Sequence, residues 1–449
     1  MRASESITAA LSAYISGAAQ RELTPEVSEK TKHHVLDTLA AVVSGSRLPP
    51  AEPVLRYVGS LGGTGEALVC GTSVVTTAIN ASMANAMLAH ADETDDSHLT
   101  SRSHLGCGVV PAALAMGERE GSSGENLVRA VALGYDIGAR VCHALGTDQL
   151  YAAGHSTHTF APTFGAAAAA GALAGLSAQQ CRWLLSYTAQ QTSGVNCWQR
   201  DRDHIEKAFD FGGMAGRNGV TAATMVQAGF TGVDDVLSGP RNFLIAFSPE
   251  PRPERFIEGL GERYEIMHTN IKKWSVGSPV QAVLDSVQAL VVQPGLGAGD
   301  VDAVVIRMSD RESHVVDGSG MSNVNVQHLA ALMIVDGTVS FASAHDPSRL
   351  EDPTVQAVRA RIELRPDPDL PRRHPLVILK TRDGNTLEHA THAVRGTPEN
   401  PMSRDEVEHK ARELIAPVLG GERSDALIAA VWDLEKIANV SELRRWLSA

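Results

Sequence analysis

The stretch "HADETDDSHLTSRSHLGCGVVPAALAMGERE", residues 90–120, places His90, Asp92, Glu93, Asp95, Asp96, His98 and His104 in one loop, then runs into an apolar small-residue helix pattern. A metal centre, an acid–base site and a solvated turn would all use such a loop. A metal centre needs ligands at fixed spacing and a partner motif. H-E-x-x-H is absent and no Cys/His cluster accompanies the loop, so no metal is expected. Taken singly, the acids read as a solvated face. His104 differs because it stands just ahead of a helix start. There the unpaired N–H groups and the helix dipole favour an anion. A histidine at that place can hold and protonate a carboxylate.

Two further stretches carry chemistry. "AAGHSTHTFAPTFGAAAAAG" sets His155 and His158 before an Ala-rich helix, with small neighbours that let a ligand approach. "RDRDHIEKAFDFGGMAGRNGV" supplies Arg200, Arg202, His204 and Lys207, the positive charge that the composition otherwise lacks. Lys207 precedes a Gly-Gly turn and suits a carboxylate clamp, with Arg202, His204 and His158 as further substrate contacts. No G-x-x-x-x-G-K-[ST] phosphate loop and no G-x-S-x-G nucleophile turn is present. His104, His155 and Lys207 are expected to converge on one pocket. Glu93 and Asp95 are expected to set the charge of the histidines, Asp95 also touching substrate.

The elements that must position these groups follow from periodicity. Up to about residue 270 the chain reads as helix after helix. "TPEVSEKTKHHVLDTLAAVVSGS" has Thr24 as N-cap, Pro25 in the first helical position, and Val35, Leu36, Leu39, Val42 and Val43 at helical spacing. Ser177 and Gln180 form a capping box. Later, "DVDAVVIRMSD", "RARIELRPDPD" and "LVILKTRDGNTLEHATH" alternate as strands, with Asp383-Gly384 as a hairpin turn and "NVQHLAALMIVDGTVSF" as a helix among them. Ser403 with Glu406 opens the closing helices. The expected fold is mostly α: a large all-α domain, residues 1–268 plus 400–449, with a smaller α+β lid domain, 269–399, inserted before the C-terminal helices.

Composition narrows the partners. The chain has 449 residues, a formal charge of −13 and 43% hydrophobic residues. A nucleic-acid partner is not expected, since phosphate binding wants a basic face. Five cysteines without a C-x-x-C pair fit reduced thiols and a cytoplasmic location. No apolar run is long enough to span a membrane, and the N-terminus does not read as a signal peptide.

The three chemical stretches, in this order, resemble the MmgE/PrpD family. "HADETDDSH…SHLGCGVVPAALA" is similar to its H-A-x-D-x-D-D-T-H with H-P-G and P-A-A-L-A. "GHST…FGAAAAAGALAGLS", "EKAFDFGGMAGRNGVTAATMVQAGFTG" and "RGTPENPMS" resemble its later motifs. The resemblance implies a helical domain with an α+β lid, a homodimer, and cofactor-free chemistry on small polycarboxylates between the domains. Carried over by position, the family's acid–base and carboxylate-binding residues fall on Glu93, His104, His155 and Lys207. Lys272 matches the lysine that opens the lid segment. Gln281 stands where many members have histidine; it would face the substrate but could not act as acid or base. A tyrosine found in some decarboxylating members has no match. The expected activity is that of a lyase removing a proton next to a carboxylate. A 2-methylcitrate dehydratase-like reaction ranks first, then an iminodisuccinate epimerase-like one, then a cis-aconitate-type decarboxylation. The reading from another class is a silent carboxylate-binding protein on the same scaffold.

Overall fold

The computed structural model describes residues 6–292 and 295–449. The chain divides into two compact units, Met1–Thr269 with Val407–Ala449, and Asn270–Glu406. It is mostly helical, with small sheets.

In the first unit the longer helices are α1 (Ile7–Ser16), α2 (Pro25–Gly45), α3 (Ala78–Ala89), α4 (Gly106–Glu120), α5 (Gly124–Leu145), α6 (Thr157–Leu173), α7 (Ala178–Gln191) and α8 (Met214–Gln227). Their boundaries have local causes. The Thr24 hydroxyl accepts from the Val27 N–H and Pro25 fills the first position of α2. The Ser177–Gln180 capping box opens α7. Val35, Leu36, Leu39, Val42 and Val43 of α2 are all buried.

Helix α6 lies at the centre, packed by α4, α5 and α8. Its Ala-rich run is buried from Phe160 to Gly171. Small residues let backbones approach here. A Cβ on Gly165 would stand 2.5 Å from the Gly134 carbonyl oxygen and 2.8 Å from a Val109 methyl. The sequence pattern of Ala and Gly is thus a packing instruction, and it brings the N-terminal ends of α4 and α6 into one neighbourhood. From the C-terminal part, α11 (Arg404–Leu419) and α12 (Gly421–Trp432) bury Val407, Leu414, Leu427 and Val431. Lys410 of α11 is buried; its Nζ pairs with Asp37 at 2.6 Å and donates to the Thr94 carbonyl at 3.0 Å.

The second unit holds a four-stranded sheet of β1 (Val301–Ser309), β2 (Ile362–Asp367), β3 (Leu376–Thr381) and β4 (Thr386–Ala390), in the order β2-β1-β3-β4. β1 is parallel to β2 and antiparallel to β3, and β3 is antiparallel to β4. The β3–β4 turn carries Gly384 at φ 92, a left-handed value that suits glycine. Helices α9 (Gln281–Val291) and α10 (Val326–Asp336) share the core with the sheet through Val283, Leu284, Val287, Leu329, Val304 and Val377. No helix among the described residues is long and apolar enough to cross a membrane. The five cysteines are unbridged thiols, four of them buried.

Two stability outcomes follow. Gly165→Ala should cost about 3 kcal/mol, the upper range for inserting atoms into a packed core, read as a lowered midpoint in urea unfolding; an unchanged midpoint would contradict the close helix crossing. Lys410→Met strands a buried Asp37 carboxylate and should destabilise by about 3 kcal/mol. Adding Asp37→Leu should return much of that loss, and a double variant no better than Lys410→Met would refute the pairing.

Candidate active site

The acidic loop after α3 is not solvated. Asp92, Glu93, Asp95 and Asp96 are all buried, which corrects the expectation of a water-facing turn. Each has partners that make burial tolerable. The Asp95 carboxylate takes His90 Nδ1 at 2.9 Å and His104 Nδ1 at 3.0 Å on the same oxygen, Oδ1. An ionised carboxylate only accepts, so both imidazoles carry their proton on Nδ1 and turn Nε2 away. Burial pushes the Asp95 carboxyl up, but the His104 and His90 imidazoles outweigh it and hold it well below the usual range. Asp95 therefore orients two histidines.

Asp96 serves the scaffold. It accepts from His34 Nδ1 at 2.7 Å, from the Tyr135 hydroxyl and, at 3.0 Å, from the Gly106 N–H at the start of α4. The anion at this helix N-terminus is thus the protein's own Asp96, not a substrate carboxylate as the sequence suggested. Burial raises the Asp96 carboxyl, and the bonds from His34 and Tyr135 more than offset that. Asp92 caps its own turn through the Thr94 N–H.

Lys207 reaches this loop from the other side. Its Nζ forms an ion pair with Glu93 and lies 5.2 Å from the Phe211 ring centroid and 5.4 Å from that of Trp198. Its backbone N–H is held by Asp201 at 2.9 Å. Glu93 is thus the counter-ion of Lys207, and it also lies close to His90 and His204. Residues Phe209–Gly213 form one π-helical turn between Lys207 and α8. A Cβ on Gly212 would stand 2.1 Å from the Ala86 carbonyl oxygen, so this turn is pressed against α3 and only glycine fits. Such single π turns are frequent at functional sites. This one projects Phe211 between two imidazoles, stacked on His158 at 3.8 Å and on His90 at 4.1 Å. His104 lies 5.0 Å from His90 and 5.4 Å from His158, ring to ring. Burial and the neighbouring His104, His90 and Lys207 hold His158 well below its ordinary value.

Of the predicted residues, His104, His158, Lys207, Glu93, Asp95 and His204 are brought together. His204, buried beside His90 at 5.2 Å, sits in a left-handed backbone conformation with φ 59. Burial, with Lys207 and His90 nearby, lowers it to about 3. His155 does not share these contacts. Its ring stands edge-on to Phe160 at 5.6 Å and Phe247 at 5.5 Å, while His158, three residues on and inside α6, lies beside His104. Arg202 is exposed to solvent. In the second unit Lys272 is buried, and the Gln281 amide is spent on backbone. Gln281 Nε2 donates to the carbonyls of Trp274 at 2.8 Å and Val276 at 3.0 Å, and its oxygen accepts from the Trp274 N–H at 3.1 Å. It clamps the turn at 274–276 through these three bonds.

The sequence reading missed His90, Phe211, Trp198 and Asp210 as partners. His90 had a signal, since it lies five residues before Asp95. The others had none: the π turn at 209–213 aims Phe211 and Asp210 inward, and Trp198 comes from a separate short turn, Asn196–Arg200. Asp210 accepts from the Ser156 hydroxyl, and burial pushes its carboxyl up to about 6. The Cys107 thiol, which donates to the His104 carbonyl, is driven well above its ordinary value by burial and the nearby Asp95 and Asp96. It is no nucleophile.

Comparison with known proteins shows the family. Residues 9–255 match the family model of the MmgE/PrpD N-terminal domain, and residues 274–435 that of the MmgE/PrpD C-terminal domain. Among curated relatives, a cis-aconitate decarboxylase-like protein, oryM, of Aspergillus oryzae is 24% identical over 98% of this chain and 97% of its own. The cis-aconitate decarboxylase of Aspergillus terreus is 23% identical over 99% and 96%, and that of Homo sapiens 24% over 98% and 94%. With both family models matched in order along a chain whose loop 90–106 and Lys207 build one buried acid–base cluster, this protein belongs to the MmgE/PrpD family.

Proposed function

We propose that the chain is a lyase of small polycarboxylic acids, with decarboxylation of a cis-aconitate-like acid as the leading reaction. The observation that carries the reading is the Asp95-backed His104 beside the Lys207–Glu93 pair. Loss of carbon dioxide leaves an electron pair next to a remaining carboxylate. A cation such as Lys207 stabilises that charge, and a histidine fixed by a carboxylate on Nδ1 can deliver a proton from Nε2. The chain's own groups suffice for these steps. His158, stacked on Phe211, and His204 complete the anion-binding lining.

The order of reactions differs from the sequence-based one. A dehydratase ranked first there, partly because Gln281 replaces a histidine. In this structure the Gln281 amide bonds to the backbone of Trp274 and Val276. The names of the curated relatives favour decarboxylation. Dehydration and epimerisation remain the other reactions that the same groups serve. The reading includes a homodimer, from the family resemblance.

Proton NMR of the purified protein with cis-aconitate and with a panel of hydroxylated di- and tricarboxylic acids tests the proposal. A decarboxylated product is expected. Binding of these acids without turnover of any would favour the silent protein instead. His104→Ala and Lys207→Ala should each lower kcat/KM by roughly two to four orders of magnitude with the fold retained. His158→Ala should cost more than His155→Ala, and the reverse order would show that the wrong histidine has been placed at the reacting atoms.

A further inference from the structure

Buried imidazole nitrogens near Lys207 have no hydrogen-bond partner among the described residues: Nε2 of His90 and both ring nitrogens of His204. Buried polar atoms are almost always partnered, so each such group asks for an explanation. His204 also keeps a left-handed backbone that a non-glycine residue adopts only against strain. His90 is fully buried and His204 nearly so.

Both histidines lie close to the Glu93 carboxylate. One donor atom from each of His90, Glu93 and His204 lies within 4.8 Å of the others. His90 is held through Nδ1 by Asp95, the arrangement in which a carboxylate fixes an imidazole so that its other nitrogen can ligate. Two imidazoles and one carboxylate are the donor set of zinc and similar divalent ions, whereas calcium and magnesium prefer oxygen throughout. A second triad, His90, Asp95 and Cys107, also lies close. It fits less well, because Asp95 Oδ1 already serves two imidazoles and the Cys107 thiol donates to the carbonyls of His104 and Phe211.

We propose that His90, Glu93 and His204 form a binding site for a zinc-class divalent cation, whose occupancy competes with Lys207 for Glu93 and thereby inhibits the enzyme. Lys207 is paired with Glu93 in this structure, so cation and lysine cannot both hold that carboxylate fully. The binding half of the proposal stands on the geometry alone. The inhibitory half rests on the function proposed above.

The test titrates zinc into the full-length, chelator-treated protein against a chromophoric chelator, with no substrate present. One equivalent should bind at micromolar concentration. His204→Asn, chosen because asparagine tolerates a left-handed backbone, and His90→Gln should each weaken binding by roughly tenfold or more, in line with losing one ligand of three. Lys207→Ala should bind zinc more tightly, since the competing cation is gone. Cys107→Ser should bind as the parent does. Thermal melts identify any variant that fails to fold, and Lys207→Ala then still decides through its opposite sign. No binding by the parent, or undiminished binding by folded His204→Asn, overturns the site. In the NMR assay, zinc should lower turnover and a chelator restore it. Zinc binding by a protein that turns over none of the acids sinks the function proposed above and leaves the site standing. Turnover without zinc binding does the converse.

Discussion

A single buried carboxylate, Asp95, holds two imidazoles on one oxygen, and much of the first unit is arranged to make that possible. A charge removed from water is stable only where donors replace the lost hydration. His90 and His104 supply them, and in doing so they lose their freedom to rotate. Once Asp95 is inside, the rest of its loop must follow. Asp96 then needs His34, Tyr135 and the Gly106 N–H, and the Thr94 carbonyl takes a bond from Lys410. Lys410 comes from near the C-terminus and pairs with Asp37 of α2, so segments far apart in sequence are tied to the same loop.

The cationic side of the site answers a separate constraint. A chain of net charge −13 repels anions at long range, and a carboxylate ligand must be attracted locally. Lys207 provides this from the segment ahead of the π turn, over the faces of Phe211 and Trp198. Glu93 balances it. The π turn is the mechanical device. By adding a residue to the helix it aims Phe211 at the imidazoles while Gly212 passes against the backbone of α3.

In the second unit, polar side chains do structural work that their types alone would not announce. Gln281 makes three bonds to the turn at 274–276, and Arg395 pairs with Glu406 while its backbone N–H goes to Asp285. Such residues look like site candidates in a sequence because amides and charges are the usual currency of binding. Their hydrogen bonds here go to backbone and neighbours, which is the commoner fate of a buried polar group.

Local rules carried the sequence reading a long way. Caps, helical spacing and strand alternation depend on neighbours within a few residues, so Thr24, the Ser177–Gln180 box, the strands at 301–309 and 376–381 and the Gly384 turn were legible directly. His104, Lys207 and Glu93 were legible as candidates because a charged or titratable group beside a helix start or a glycine turn is chemically conspicuous. What local rules could not reach were partnerships across the fold. Whether an acid is solvated or buried depends on which helix covers it, and α11 does so from more than 300 residues away through Lys410. Whether His155 or His158 meets His104 depends on where the chain enters α6: His158 lies inside the helix and stacks on Phe211, whereas His155 lies in the turn before it, against Phe247. The sequence by itself determined the elements and the kinds of chemistry available. Tertiary packing alone decided which oxygen meets which nitrogen, because that pairing is set by distances between residues that the chain does not place side by side.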